Sequence, residues 1–94
     1  MSENKQRINI ELPEEAGQGI YSNLAIVSHS PSEFVVDFTR VLPGLKKAKV
    51  YSRIVLSPTH AKSLMQTLKD NIEKYEKKFG EIKISYEEHK ELGF

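Results

Sequence analysis

The sequence predicts a single α+β domain, built as an antiparallel four-stranded meander sheet followed by one long amphipathic helix. Three observations predict it. The chain has 94 residues, enough for one core and not for two. Its first half holds four segments rich in β-forming or alternating apolar residues, and its second half holds a long segment with helical spacing. We place the domain at residues 1–84, with its core at 7–82 and a tail at 85–94.

The first two predicted strands lie on either side of a loop. Residues 7–12, RINIEL, alternate with period two, which is typical of a half-buried strand. Pro13 and the EEAGQG after it predict a flexible loop. Residues 20–28, IYSNLAIVS, are rich in β-forming residues but alternate less cleanly, as in a central strand with both faces partly covered.

A tight turn joins the second predicted strand to the third. In residues 28–32, SHSPS, Pro31 suits the second position of a β-turn and Ser30 suits the position before it. The third strand follows in residues 33–41. Its alternation places Phe34, Val36 and Phe38 on one face and Val35, Asp37 and Thr39 on the other.

The fourth predicted strand follows a Pro-Gly turn at residues 43–44, where glycine can adopt a positive φ at low cost. This strand covers residues 49–57. Its residues place Val50, Ile54 and Leu56 on one face and Tyr51, Arg53 and Val55 on the other.

The helix is predicted by its two ends and by its apolar stripe. Ser57 and Pro58 are typical of a helix start, and Gly80 after Phe79 is typical of a helix end. The stripe has heptad-like spacing and comprises Ala61, Met65, Leu68, Ile72, Tyr75 and Phe79, widened at its start by Leu64. It predicts packing on the sheet, on a second helix, or on each in turn. In the tail, Ser85 and Glu88 have the spacing of a capping box, which predicts a short C-terminal helix, with a frayed tail as the alternative.

Composition excludes several classes of function. The chain has no cysteine, which excludes disulfides, thiolate zinc sites and thiol nucleophiles. No apolar run approaches the ~20 residues of a membrane span, and the N-terminus has no signal-peptide segment. We expect a cytoplasmic bacterial protein without a membrane partner.

Candidate catalytic and metal sites are weak. Ser28, His29, Ser30 and Asp37 supply the residue types of a hydrolytic triad, but neighbouring strand residues point to opposite faces, and no nucleophile elbow is present. His29, His60 and Glu33 match no standard zinc spacing, and His89 lies in the tail. We therefore expect no enzyme activity, no catalytic or metal-binding residues and no cofactor.

The charge distribution raises the question of an anionic partner. The net charge of +1 divides into −4 for residues 1–37, +7 for residues 38–69 and −2 for residues 70–94. Neighbouring acidic segments can neutralise the acid-free middle. Nucleic acid is the alternative partner, through Arg40, Lys46, Lys47, Lys49 and Arg53 with Tyr51 between them. The helix start at residues 57–60 offers a second, less specific place for an anion.

The helical stripe is the most regular feature of the chain, and it favours self-association. One helix covers one sheet face only, so apolar residues on the other face would still need a partner. The interface residues that we predict are Val35, Tyr51 and Val55 on the open sheet face, or Ala61, Met65, Leu68, Ile72 and Tyr75 on the helix.

Two segments together resemble a known family. YSNLAIVSHSPSEFVVDFTRVLPG and SRIVLSPTHAKSLMQTLKDNIEKYEKKFGEI, in this order, resemble a small bacterial and archaeal domain family of unknown function over residues 20–82. The resemblance implies a short cytoplasmic domain and supplies no functional residues. The order of four strands and a helix is also similar to export chaperones of the SecB type, which is an analogy of fold. We predict a non-catalytic protein-binding or assembly module that forms a homodimer, with nucleic-acid binding or a chaperone-like surface as alternatives.

Overall fold

A computed structural model describes residues 8–44, 47–84 and 91–94 of the chain. Its elements, in chain order, are α1 (Glu14–Gly17), β1 (Leu24–His29), β2 (Phe34–Arg40), β3 (Lys49–Leu56), α2 (Pro58–Phe79) and β4 (Leu92–Gly93). The strands form one sheet in the order β3-β2-β1-β4. The protein is therefore of the predicted α+β class, with one sheet and one long helix.

The sheet is mixed and not purely antiparallel, which corrects the predicted four-stranded meander. The antiparallel pairs β1–β2 and β2–β3 correspond to the last three strands of the predicted meander. The fourth strand comes from the C-terminus, where Leu92 and Gly93 pair in parallel with Ile26 and Val27 of β1.

The predicted strand at residues 7–12 is wrong for the part that the structure describes. Residues 8–12 have no strand structure, and Ile8, Ile10 and Leu12 are all exposed. An alternating segment becomes a strand only if a sheet edge is available to pair with its backbone. The edge that this segment would have joined, the outer side of β1, is taken by β4.

Local sequence signals determine the two ends of α2. The Ser57 hydroxyl oxygen accepts a hydrogen bond from the His60 backbone N–H at 3.2 Å, and Pro58 occupies the first helical turn. At the other end Gly80 has a φ of +97°, which an L-residue rarely adopts. The helix therefore has the predicted bounds. The predicted short helix after Ser85 falls on residues 85–90, outside the described part of the chain.

A bulge changes the alternation along β3. Phe38 pairs with Ser52, but Thr39 pairs with Val50, so Tyr51 is the extra residue. Directly paired residues project from the same face of a sheet. Val50 therefore shares a face with Thr39, and its predicted place beside Ile54 and Leu56 is wrong.

The single chain has almost no core. Among the described residues, Leu24 is the one buried apolar residue, and the other two buried residues are Asp37 and Thr39. The radius of gyration is 16.5 Å, against about 12 Å for a compact domain of this length. The elements have formed, but the packing that should cover them is absent within one chain.

Candidate functional site

The apolar stripe of α2 is open along its length. Leu64, Met65, Leu68, Tyr75 and Phe79 each keep at least half of their surface exposed. The helix contacts the sheet mainly at β3, the strand that leads into it. At its far end the Tyr75 and Phe79 rings contact each other with centroids 4.9 Å apart. From Leu64 to Phe79 the helix therefore presents an exposed apolar surface about four turns long.

The register of the sheet defines two faces of different character. The first, which we call the apolar face, carries seven apolar side chains, Ala25, Val27, Phe34, Val36, Phe38, Ile54 and Leu56, together with His29, Arg40, Lys49 and Ser52. The second, which we call the ion-pair face, carries Leu24, Ile26, Ser28, Val35, Val50 and Val55 around Asp37, Thr39 and Arg53. In the single chain the strand residues of both faces are at best partly covered, apart from Leu24, Asp37 and Thr39.

The predicted interface residues are divided by this arrangement. Val35 and Val55 are direct partners on the ion-pair face. Tyr51 stands at the bulge, where its ring contacts the Arg40 guanidinium at 4.5 Å. The stripe residues on α2 form a separate surface. The two sets of residues, which the sequence offered as alternative interfaces, therefore lie on separate surfaces of the single chain, and each set stays a prediction.

Asp37 and Arg53 form an ion pair at the centre of the ion-pair face. The Arg53 guanidinium donates from Nε to Asp37 Oδ1 at 2.7 Å and from a terminal nitrogen to Asp37 Oδ2 at 2.9 Å. The two residues face each other directly in the register of β2 and β3. Asp37 is only 8% exposed, whereas the Arg53 side chain is 66% exposed. Such bidentate pairs are the strong form of charge-assisted hydrogen bond.

The pair determines the protonation of Asp37. Hydrogen bonds from Arg53 lower the pKa of the Asp37 carboxyl below its ordinary value, although desolvation by burial opposes them. The same hydrogen bonds raise the pKa of the Arg53 guanidinium. Asp37 is therefore an ionised structural acceptor at neutral pH and a poor proton donor. Both residues lie mid-strand, sixteen positions apart; from sequence alone, only a correct strand register could have paired them.

The histidine and serine cluster at the hairpin corner is a turn. The Ser30 hydroxyl accepts hydrogen bonds from the backbone N–H groups of Ser32 and Glu33, each at 3.2 Å, and the Ser30 N–H donates to the Glu33 carbonyl. The His29 ring stacks on Phe34 with centroids 5.5 Å apart. His29 and Asp37 belong to opposite faces of the sheet, so the register separates the members of the conceivable triad.

Within the described ranges, no group of three or more metal-binding side chains comes together. His29, Glu33 and His60 thus do not form part of such a group. No helix in that part of the chain is long and apolar enough to cross a membrane.

Two basic residues and two tyrosines cluster at one end of β2 and β3. The Arg40 guanidinium lies 4.5 Å from the Tyr51 ring centroid and 5.9 Å from that of Tyr21, and the Lys49 ammonium lies 5.2 Å from Tyr51. Arg40 also donates weak hydrogen bonds to the Tyr21 carbonyl at 3.3 and 3.4 Å. The structure thus brings together part of the predicted basic segment with an aromatic partner, Tyr21, that the sequence reasoning missed.

The other bases of that segment are placed differently. Arg53 is bound to Asp37. Lys47 is exposed in the loop before β3, and Lys46 lies outside the described residues. Two of the five predicted contacts, Arg40 and Lys49, therefore share a cluster with exposed aromatic rings.

Comparison with known proteins identifies the family. A family model described as "Protein of unknown function (DUF3467)" matches residues 1–84. The chain belongs to this family. The DUF3467 match confirms the predicted resemblance and extends it to residue 1, and it ends before β4. No curated protein and no solved structure matches this DUF3467 chain.

Proposed function

We propose that this DUF3467 protein is a non-catalytic assembly module that acts as a homodimer. The observation that carries the proposal is the missing core. A single chain exposes 8715 Å², whereas a folded monomer of this mass exposes roughly 5,500 Å². The excess of roughly 3,000 Å² is several times the roughly 800 Å² that each partner contributes to a standard interface. Even half of it exceeds the area that one partner contributes to a standard interface.

The character of the exposed surface favours a second copy of the chain as the partner. A long apolar helical stripe and an apolar sheet face both lack cover in the same molecule. If the stripe of one copy packs on the sheet of the other, a two-fold axis repeats the contact. The helix of each copy then covers the sheet of its partner. The surfaces that we propose for this contact are the predicted residues Ala61, Met65, Leu68, Ile72 and Tyr75 on α2, with the sheet as their counterpart.

The ion pair bears on which sheet face is used. Burying charges costs several kcal/mol per ion before their mutual attraction is counted. Arg53 is still largely exposed and would lose this hydration under a partner. The apolar face has no such pair at its centre. We therefore favour the apolar face as the counterpart of α2, with the predicted Val35 and Val55 on the outward side of the sheet.

A mass measurement tests the proposal. Light scattering coupled to size-exclusion chromatography should give about twice the chain mass of 10.8 kDa at micromolar concentration. A monomer over the whole concentration range would contradict it. If such a monomer bound unfolded polypeptides, a chaperone-like surface would replace the assembly module as the better explanation.

The tyrosine cluster supports nucleic-acid binding as a second candidate. Exposed tyrosines beside basic side chains can stack on the bases of a single strand while the cations contact phosphates. Against this, the Arg40 guanidinium is already engaged by two rings and a carbonyl, and Arg53 by Asp37. We rank this function below assembly.

Fluorescence anisotropy with labelled single-stranded and duplex oligonucleotides at low salt separates the two functions. We expect no micromolar binding. The double variant Lys47→Glu, Lys49→Glu should leave the dimer intact, because Lys49 is exposed at the end of the apolar face and charges at the rim of an interface add little to affinity. The matched control is Lys62→Glu, Lys69→Glu, which makes the same charge change on α2. If the protein bound an oligonucleotide with a steep salt dependence, and only the first double variant abolished that binding, nucleic acid would be the partner.

A further inference from the structure

The outer edge of β1 is covered by a very short strand. Along its inner side β1 pairs with β2 over all six of its residues, Leu24 to His29. Along its outer side it meets only the C-terminal residues, with Ile26 paired to Leu92 and Val27 paired to Gly93. The family match ends at residue 84, so β4 lies outside the part of the chain that the family model matches.

The contacts on this edge are made by the backbone and by one carboxylate. The Phe94 backbone N–H donates to the Val27 carbonyl at 2.8 Å. The Ala25 backbone N–H donates to the Glu91 carboxylate. The parallel register places the Val27 N–H towards the Leu92 carbonyl. The outward backbone groups of Ala25 and Val27 are therefore satisfied by the tail.

Side chains contribute little to the binding of residues 91–94 at the edge of β1. Leu92 is 45% exposed and Phe94 is 76% exposed, so neither fills a pocket. Recognition rests on main-chain hydrogen bonds in a parallel register and on an acceptor one residue before the strand. This is the chemistry of strand addition, in which an extended peptide joins an available sheet edge.

We propose that the outer edge of β1 is a strand-addition site for an extended peptide segment with a leading acidic residue, and that the chain's own Glu91–Phe94 is its occupant. An uncovered edge presents a row of backbone donors and acceptors that templates association with other strands. The tail closes that edge, so assembly is directed to the apolar surfaces of the helix and sheet. This inference rests on the β4 contacts and stands whether or not the protein dimerises.

A pair of proline variants in the full chain tests the site. Phe94→Pro removes the N–H that donates to Val27. Gly93→Pro is the matched control: because N–H groups alternate along a strand, the Gly93 N–H points away from β1, where proline is tolerated. The readout is amide hydrogen exchange by NMR at Ala25 and Val27, with Ile26, whose N–H points towards β2, as the internal reference.

We expect Phe94→Pro to accelerate exchange at Ala25 and Val27 at least about fivefold, as the loss of one hydrogen bond predicts, with little change at Ile26. Gly93→Pro should change exchange less than twofold, on the order of ordinary surface effects. Equal acceleration by both variants, or by neither, would overturn the proposal.

Substitution of Glu91 tests the acidic contact separately. Glu91→Ala should accelerate exchange at Ala25, and Glu91→Gln, which keeps a side-chain carbonyl acceptor, should restore most of the protection. If Gln and Ala behave alike, the leading acidic residue has no role and that part of the proposal is wrong. A tail supplied by a second copy would instead make the protection fall on dilution together with the dimer mass, which would overturn the assignment to the chain's own tail.

Discussion

Leu68→Glu is the substitution that should separate assembly from folding most clearly. Leu68 lies in the middle of the α2 stripe and keeps 56% of its surface exposed in the single chain. Full burial of a leucine side chain stabilises by about 1.5–3 kcal/mol, so covering this exposed fraction is worth about 0.8–1.7 kcal/mol. In a two-fold interface the contact occurs twice, which gives about 1.7–3.4 kcal/mol per dimer.

The expected consequence is a much weaker dimer. That loss alone raises the dissociation constant about 20- to 300-fold, and the cost of placing a carboxylate against apolar surface adds to it. The helix itself should be retained, because leucine and glutamate have similar helix propensities. The assay is sedimentation velocity over a dilution series, with circular dichroism to confirm that the helix is intact.

Gln66→Glu is the matched control for this experiment. It introduces the same side chain two residues away, on the side of α2 opposite the stripe, and it should leave the dissociation constant within about threefold, as surface changes do. If Leu68→Glu sediments like the unmodified protein, the stripe is not the contact. If both variants dissociate equally, the cause is the added charge and not lost apolar burial, and the reasoning is refuted.

Two further predictions concern stability within the chain, measured by urea denaturation at one fixed protein concentration. Ser57→Ala should lower the free energy of unfolding by about 1 kcal/mol, because the helix loses its cap. The control Ser63→Ala, inside the same helix, should lower the free energy of unfolding little or raise it slightly. Equal losses for the two variants would contradict the capping role of Ser57. Because Arg53 lowers the pKa of Asp37 in the folded protein, the pair stabilises above the ordinary carboxyl pKa of 3.8, and this contribution disappears as the pH falls through the lower folded value. Asp37→Asn should therefore be less stable than the unmodified protein at neutral pH, and this difference in unfolding free energy should shrink as the pH falls. A difference that stays constant with pH would be evidence against the ion pair. The control Asp70→Asn, on the exposed helix α2, should show no comparable difference.

Local structure was predictable because local signals specify it. The Ser-Pro start and the glycine end of α2 satisfy the helix's own backbone groups, so they act whatever the helix packs against. The turn after His29 is likewise built by Ser30 and its neighbours. The alternation in residues 33–41 was also sufficient to place Val35, Asp37 and Thr39 on one face. In each case the residues that decide the local conformation lie within a few positions of one another in the sequence.

The sequence by itself determined the α+β class, the two central hairpin partners of the sheet, the bounds of the helix and the apolar stripe along it. Only the tertiary structure decided which segment closes the outer edge of β1, because alternation shows that a segment can form a strand but not which strand its backbone pairs with. It also decided the bulge at Tyr51 and the pairing of Asp37 with Arg53, since register depends on hydrogen bonds between distant strands. Finally, it showed that the stripe and the sheet do not cover each other within one chain, because alternation and helical spacing indicate which residues need cover but not which surface provides it.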